Sequence, residues 1–268
     1  MVSISLCMIV KNEEEVLRQC LDSVKDLVDE IIIVDTGSTD RTKEIAKEYT
    51  DKIFDFEWVD DFSRARNFSF EQATKDYIFW LDADDVLLKE DREKFKKLKE
   101  ELTPDVDTVS MLYHIAFDEF NNPTFSYRRN RLVKRERNFK WHGAVHEYLE
   151  YGGKVIQSDI AITHRKKDKK NNTTPSDRNL RIYENRLARG EEFTPRDLFY
   201  YANELKDHGQ YEKAIEYYEK FLDTKKGWIE DKIRACINMA ACYRSIGNEE
   251  GEIDALIKSI FYDVPRPE

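Results

Sequence analysis

The stretch that decides the fold is YIFWLDADD, which occupies residues 77–85. Five apolar residues run directly into a cluster of aspartates, which is typical of a buried strand that ends at a polar edge. Two or three carboxylates at a strand end form a hard oxygen site suited to Mg²⁺ or Mn²⁺. Aspartates are equally favoured at the N-cap of a helix, so this stretch alone leaves both interpretations open.

Other apolar runs alternate with helical spacing on the N-terminal side of this stretch. We predict strands over residues 3–10, 30–35, 53–56 and 77–81, and helices over 12–24, 41–49 and 64–74. This alternation indicates an α/β fold with a mostly parallel sheet, in which ligands bind beyond the carboxyl ends of the strands. Asp35 and Asp82 lie at such ends.

The pattern changes in the second half of the chain. Residues 106–163 are predicted as strands and loops, residues 165–174 as a polar linker, and the chain after Pro175 as helices. Stretches that begin at Gly209 and Gly247 resemble the second half of a tetratricopeptide (TPR) repeat. We therefore predict two domains, an α/β sheet domain over 1–170 and an all-α, TPR-like domain over 171–268. The helical array is expected to be short or truncated, with truncation favoured.

Composition narrows the class of protein. The chain has 44 Lys and Arg against 54 Asp and Glu, a net charge of −10, which disfavours nucleic acid as a partner. No apolar run approaches the roughly 18 residues of a membrane span, and the N-terminus lacks the basic leader of a signal peptide. The four cysteines form no Cys-x-x-Cys pair, so we expect reduced thiols and a cytoplasmic protein.

Four ordered motifs place the acidic stretch in context. They are SLCMIVKNE at 5–13, EIIIVDTGSTD at 30–40, DFSRARN at 61–67 and WLDAD at 80–84. Together they closely resemble glycosyltransferase family 2, the nucleotide-sugar transferases of GT-A fold, over residues 3 to about 165. The tail resembles the TPR modules that some bacterial members carry, including peptide S-glycosyltransferases of the sublancin-synthesis type and lipopolysaccharide-core glucosyltransferases.

The resemblance implies a role for each matching position in the first half of the chain. Asp35 matches the acid that hydrogen-bonds the nucleotide base, and Val10 and Glu13 lie where the first loop approaches that base. Asp84 is expected to contact the metal, and Asp82 the ribose, or the metal through water. Four further positions are expected to line the nucleotide-sugar pocket: Ala83, Arg64, Arg66 and Asn67. Arginines are good phosphate partners, although either arginine taken alone is more typical of surface charge.

Four positions downstream complete the expected site. Glu147, in WHGAVHE at 141–147, corresponds to an acid of the family and is the candidate base for the acceptor's proton; the alternative is an exposed strand residue. Trp141 is expected either to stack on a sugar or to pack in the core. His164 is a candidate metal ligand, which suits Mn²⁺. Arg131 is a candidate anion contact in the basic stretch 128–137, most of which is expected to be a solvated loop.

The sequence therefore predicts a metal-dependent, inverting glycosyltransferase that uses Mn²⁺ or Mg²⁺ and a nucleoside-diphosphate sugar, a UDP-sugar, as donor. The expected acceptor is a hydroxyl or thiol of a peptide, protein or glycan, held by the TPR-like region, which could also support a homo-oligomer. Two alternatives remain open: a TPR-type binding module with a degenerate nucleotide-binding domain, and a nucleotidyltransferase of similar sheet architecture. The acidic loop KNEEE at 11–15 disfavours the latter, because it would repel a triphosphate.

Overall fold

The structure is a computed structural model that describes residues 1–165 and 177–263. The chain divides into two compact units, Met1–Lys170 and Asn171–Glu268. The predicted polar linker at 165–174 falls outside the described residues from position 166 onward. Among the helices that are described, none has the length and apolar character needed to cross a membrane.

The first unit is built on an eight-stranded sheet. Its elements are β1 (Ile4–Val10), α1 (Leu17–Val24), β2 (Glu30–Asp35), α2 (Thr42–Lys47), β3 (Ile53–Asp55), α3 (Phe62–Glu71), β4 (Tyr77–Trp80), β5 (Asp85–Val86), α4 (Lys89–Glu101), β6 (Thr108–Phe117), β7 (Pro123–Lys134), β8 (Trp141–His142), β9 (Tyr148–Leu149) and β10 (Val155–His164). The strand order is β3-β2-β1-β4-β7-β6-β10-β5, and β8 pairs separately with β9. Strands β1 to β4 run parallel, whereas β7 is antiparallel to both β4 and β6. The predicted α/β sheet of GT-A type is confirmed.

Successive side chains point to opposite faces of the sheet, so each central strand contributes to two apolar cores. Leu6 and Met8 of β1 pack in a cluster that includes residues of α1, α2 and α4. Cys7 lies on the other face, in a cluster that includes Val34 of β2 and Phe70 of α3. Burial on both faces explains the continuous apolar runs of these strands. Polar side chains of the central strands are therefore concentrated at their ends.

Two local expectations differ from the structure. Helix α1 begins at Leu17 rather than near residue 12, because Asn12 has a positive φ of 55° and accepts a hydrogen bond from the Thr39 amide at 2.8 Å. The basic stretch predicted mainly as a solvated loop lies in strand β7 as far as Lys134. Leu132 and Val133 of this strand are buried because β7 is hydrogen-bonded between β4 and β6.

The second unit is all-helical. Its helices are α5 (Asp177–Ala188), α6 (Pro195–Asp207), α7 (Tyr211–Asp223), α8 (Ile229–Ser245) and α9 (Glu249–Ile260). The two repeat-like stretches coincide with α7 and α9, each of which follows a glycine at positive φ, 73° at Gly209 and 74° at Gly247. A left-handed glycine ends the preceding helix and turns the chain back, as a helical hairpin requires.

Glu30 joins the start of β2 to two neighbouring segments of the first unit. Its buried carboxylate accepts hydrogen bonds from the Ser5 hydroxyl, the Lys52 ammonium and the Thr74 amide, the last at 2.9 Å. Burial by itself would raise the pKa of Glu30. The hydrogen bonds outweigh it and lower the pKa from 4.5 to about 2.

We expect Glu30→Gln to lower the free energy of unfolding by about 2 kcal/mol at neutral pH, because an amide cannot replace the charged acceptor. A carboxyl group whose folded pKa is depressed stabilises the protein above its unfolded pKa of 4.5, and that contribution is lost as the pH falls toward 2. Urea unfolding of the wild type and of Glu30→Gln at several pH values should therefore show a difference in the free energy of unfolding that narrows on acidification. Glu48→Gln, at an exposed ion pair with Arg18, is the control and should change little. A difference for Glu30→Gln that is constant with pH would contradict the assignment.

Candidate active site

The carboxyl ends of β1, β2 and β4 meet at one edge of the sheet. The parallel register sets Val10 beside Asp35 and Cys7 beside Trp80. Residues that follow Trp80 therefore continue level with the end of β1. The structure thus brings Asp82 and the buried Ala83 to the same edge as Asp35.

Asp35 is 2% exposed and uses only one of its two carboxylate oxygens. Oδ1 accepts hydrogen bonds from the amides of Gly37 and Ser38 at 3.0 and 2.8 Å, whereas Oδ2 is buried without a partner among the described residues. A buried, unpaired carboxylate oxygen is costly, and a ligand N–H would satisfy it. Val10 is buried beside it in the register, and the Glu13 amide, in the next loop, donates to the Thr42 hydroxyl at 2.7 Å.

Arg66 of α3 joins two acids that are far apart in sequence. Its Nη2 donates to Oδ1 of Asp82 and its Nε to Oε1 of Glu147, both at 2.7 Å. The guanidinium also lies over the rings of Trp80 and Trp141, 5.1 and 4.6 Å from their centroids. Burial raises the pKa of Asp82, but the charge of Arg66 outweighs it and lowers the pKa to about 2. Arg66 is therefore a buried bridge between the two acids.

The other predicted residues of α3 have different positions. Arg64 is exposed, lies 3.6 Å from Asp61, and has no described contact with the acidic cluster. Asn67 donates to the Trp141 carbonyl at 2.9 Å and accepts from the Trp141 amide at 2.8 Å. Trp141 itself is 4% exposed and packs edge-to-face on Trp80 at 4.8 Å. Of the two interpretations of Trp141, the structure therefore favours core packing.

A candidate metal centre lies at the junction of β5 and β10. Asp84, Asp85 and His164 each offer one ligand atom, and these atoms lie within 4.8 Å of one another. The antiparallel register of β5 and β10 sets His164 opposite Asp85. His164 Nδ1 is 3.4 Å from Asp84 Oδ1 and 3.1 Å from the Tyr113 hydroxyl. The carboxylate of Asp84, and with it that of Asp85, raises the pKa of His164 to about 9.

The positions of Asp85 and Arg131 at this centre differ from the roles that the sequence indicates. Asp85 does not stand out in sequence, because it is one of three aspartates and only its pairing with β10 brings it to His164. Arg131 was expected as an anion contact, yet its side chain is 0% exposed and pairs with Asp85 at 2.9 Å. Arg131 therefore contacts the candidate centre through Asp85.

The amino-acid sequence of the chain matches a family model and several known proteins. Residues 5–170 match the family model described as Glycosyl transferase family 2. The SPbeta prophage-derived glycosyltransferase SunS of Bacillus subtilis is 33% identical over 232 residues, which are 84% of this chain and 54% of SunS. A TPR repeat-containing protein of Synechococcus elongatus is 38% identical over 151 residues, 56% of this chain and 36% of that protein. The chain thus spans between about a third and about half of the length of these relatives.

Solved structures give a more distant likeness. The crystal structure of S. aureus TarS aligns with a TM-score of 0.48 and 12% identity, covering 95% of this chain and 54% of that one. A likeness at this level carries no argument about activity.

We expect Asn67→Ala to loosen the segment that carries Glu147, because both hydrogen bonds to the Trp141 backbone are lost. Hydrogen exchange should be faster at the Trp141 amide, and the protein should lose about 1–2 kcal/mol of stability. Gln72→Ala, which removes a single contact to the Phe68 carbonyl at the end of the same helix, is the control. Unchanged exchange at Trp141 would show that Asn67 does not hold this segment.

Proposed function

This chain belongs to glycosyl transferase family 2, and from that premise we propose that it moves a sugar from a UDP-sugar to a hydroxyl or thiol acceptor. The observation that carries the proposal is a row of acids along the carboxyl edge of the sheet. Asp35 stands at one end with a buried, unpaired oxygen. Asp84 and His164 stand together at the candidate metal centre, and Arg66 holds Asp82 at the same edge.

The donor would be recognised at both of its ends. Uracil has one ring N–H, and Asp35 Oδ2 is an acceptor without a partner in the described residues. Val10 and Glu13, at the end of β1 and in its following loop, would border the base. Asp82 would accept a hydrogen bond from a ribose hydroxyl through Oδ2, because its Oδ1 is paired with Arg66. Guanine and thymine also offer a ring N–H, so the donor series below compares all three bases.

The residues of the metal centre suit a divalent cation. Asp84 and Asp85 supply carboxylate oxygens and His164 an imidazole nitrogen, a set that Mn²⁺ accepts. Asp85 Oδ1 is buried without a hydrogen-bond partner among the described residues, as expected for a site completed by a cation. A bound Mn²⁺ or Mg²⁺ would supply positive charge against the charge that develops on the leaving diphosphate.

Glu147 is the proposed base. Its side chain is 14% exposed and is held beside Asp82 by Arg66, so it lies at the same edge as the donor site. In the proposed reaction, the acceptor oxygen or sulfur bonds to the anomeric carbon as the bond from that carbon to the diphosphate oxygen breaks. The acceptor proton passes to the Glu147 carboxylate, and attack opposite the leaving group inverts the anomeric centre. Arg66 orients the carboxylate through Nε.

The acceptor is proposed to be a peptide, protein or glycan recognised by the helical unit. The two hairpins α6–α7 and α8–α9 repeat one structural motif, and stacked hairpins of this kind present an extended surface suited to a polypeptide. A relative of similar sequence is named a TPR repeat-containing protein. A binding module without activity is the competing interpretation, and a donor titration separates the two.

The experiment that tests the donor is a thermal-shift series of UDP-, GDP- and dTDP-sugars with and without Mn²⁺. A ligand that binds only the folded state raises the melting temperature, so we expect the largest shift with a UDP-sugar plus Mn²⁺.

Asp84→Ala should abolish the Mn²⁺-dependent part of that shift and reduce turnover by at least about 100-fold. Asp159→Ala, which removes an 83% exposed carboxylate on β10, is the control and should keep both the Mn²⁺-dependent shift and the turnover. No shift with any donor would favour the binding module.

We expect Glu147→Gln to keep donor affinity and lose transfer by about 100- to 10,000-fold, because the amide cannot take the acceptor's proton. Calorimetry with the donor and a transfer assay measure the two quantities separately. Glu150→Gln, at a half-exposed glutamate near His142, is the control and should retain activity. Full transfer by Glu147→Gln would remove its role as base.

A further inference from the structure

A fully buried ion pair includes one member of the candidate metal centre, Asp85. Arg131 of β7 and Asp85 of β5 are both 0% exposed, and Arg131 Nη1 is 2.9 Å from Asp85 Oδ2. The guanidinium contacts two rings, 3.9 Å from the centroid of Trp80 and 4.5 Å from that of Tyr113. Removing both charges from water costs several kcal/mol, which good geometry and complete hydrogen bonding must offset.

Hydrogen bonding of this pair is incomplete. Arg131 Nε and Nη2, and Asp85 Oδ1, are buried without hydrogen-bond partners among the described residues. Nη1 also donates to the Trp80 carbonyl at 3.3 Å. Replacement of a buried ion pair by apolar residues of similar size is often neutral or stabilising in proteins. Stability of the fold is therefore a poor explanation for the pair.

The unpaired oxygen of Asp85 has a definite direction. Oδ2 is held from two sides, by Arg131 and by the Asp82 amide at 3.0 Å. This leaves Oδ1 as the oxygen without a partner, 3.8 Å from His164 Nδ1, and Asp85 forms the candidate centre with Asp84 and His164. One oxygen is thus anchored so that the other points into the candidate centre.

We infer that Asp85 is a third protein ligand of a divalent, oxygen-preferring cation, and that Arg131 is a positioning residue that acts through Asp85. This inference rests on the proposed function, since it concerns the same metal centre. Arg131 offsets the charge of Asp85 and anchors Oδ2, and the contacts with the rings of Trp80 and Tyr113 restrict the guanidinium. A cation bound to Oδ1 would complete the coordination of an oxygen that is otherwise unsatisfied.

The test measures Mn²⁺ binding to the full chain without donor, by titration with electron paramagnetic resonance detection of free Mn²⁺. We expect Asp85→Asn to weaken binding at least tenfold, because the amide has a poorer ligand oxygen. Arg131→Lys keeps the charge but loses the planar guanidinium. A several-fold loss of Mn²⁺ affinity in this variant therefore shows that Arg131 orients the Asp85 carboxylate, beyond the effect of its charge. Arg129→Lys, at a half-buried neighbour on β7 that also lies over Tyr113, is the control and should bind within about twofold of the wild type.

The double variant Asp85→Asn with Arg131→Met separates ligation from stability. It removes both buried charges, so the melting temperature of the cation-free protein should recover relative to either single substitution. Mn²⁺ affinity should stay low if Asp85 is a ligand. Wild-type affinity in this variant would overturn the inference and leave the proposed function intact. Failure of the wild-type protein itself to bind Mn²⁺ would overturn the inference together with the proposed metal centre.

Discussion

Four carboxylates meet at the carboxyl edge of the sheet, those of Asp82, Asp84, Asp85 and Glu147. Like charges this close repel one another, and the repulsion must be offset before the edge can fold. Two arginines from different elements supply the offset. Arg66 bridges Asp82 and Glu147 from α3, and Arg131 pairs with Asp85 from β7. The rest of the site depends on this balance of charges.

Trp80 couples the two arginines. Its ring contacts Arg66 at 5.1 Å and Arg131 at 3.9 Å, and its indole N–H donates to the Asn130 carbonyl at 2.8 Å. Arginine suits both positions because its planar guanidinium donates along its edge while its faces lie on aromatic rings. The acid proposed as base and the acids proposed for the metal are thereby positioned around one residue at the end of β4.

Local patterns were sufficient to predict much of the fold. Strands β1, β2 and β4 are buried on both faces and therefore appear as unbroken apolar runs, and helices α7 and α9 carry helical spacing after a glycine. Strand β7 was not predicted, because it mixes basic residues with a short apolar segment. Its burial depends on β4 and β6 as neighbours, which are separated from each other in sequence by other elements. The start of α1 was missed because Asn12 is held by the β2–α2 loop.

The sequence by itself determined which acids lie at strand ends, because a strand buried on both faces can carry charge only where it leaves the sheet. Asp35, Asp82 and Asp84 follow from that constraint. Only the tertiary structure decided which groups meet. His164 faces Asp85 through the register of β5 on β10, and Glu147 reaches Asp82 through Arg66. Arg131 belongs to a basic stretch in sequence, yet Trp80, Tyr113 and Asp85 enclose it once the strands are paired. Such contacts depend on strand order and register, which no short stretch of chain encodes.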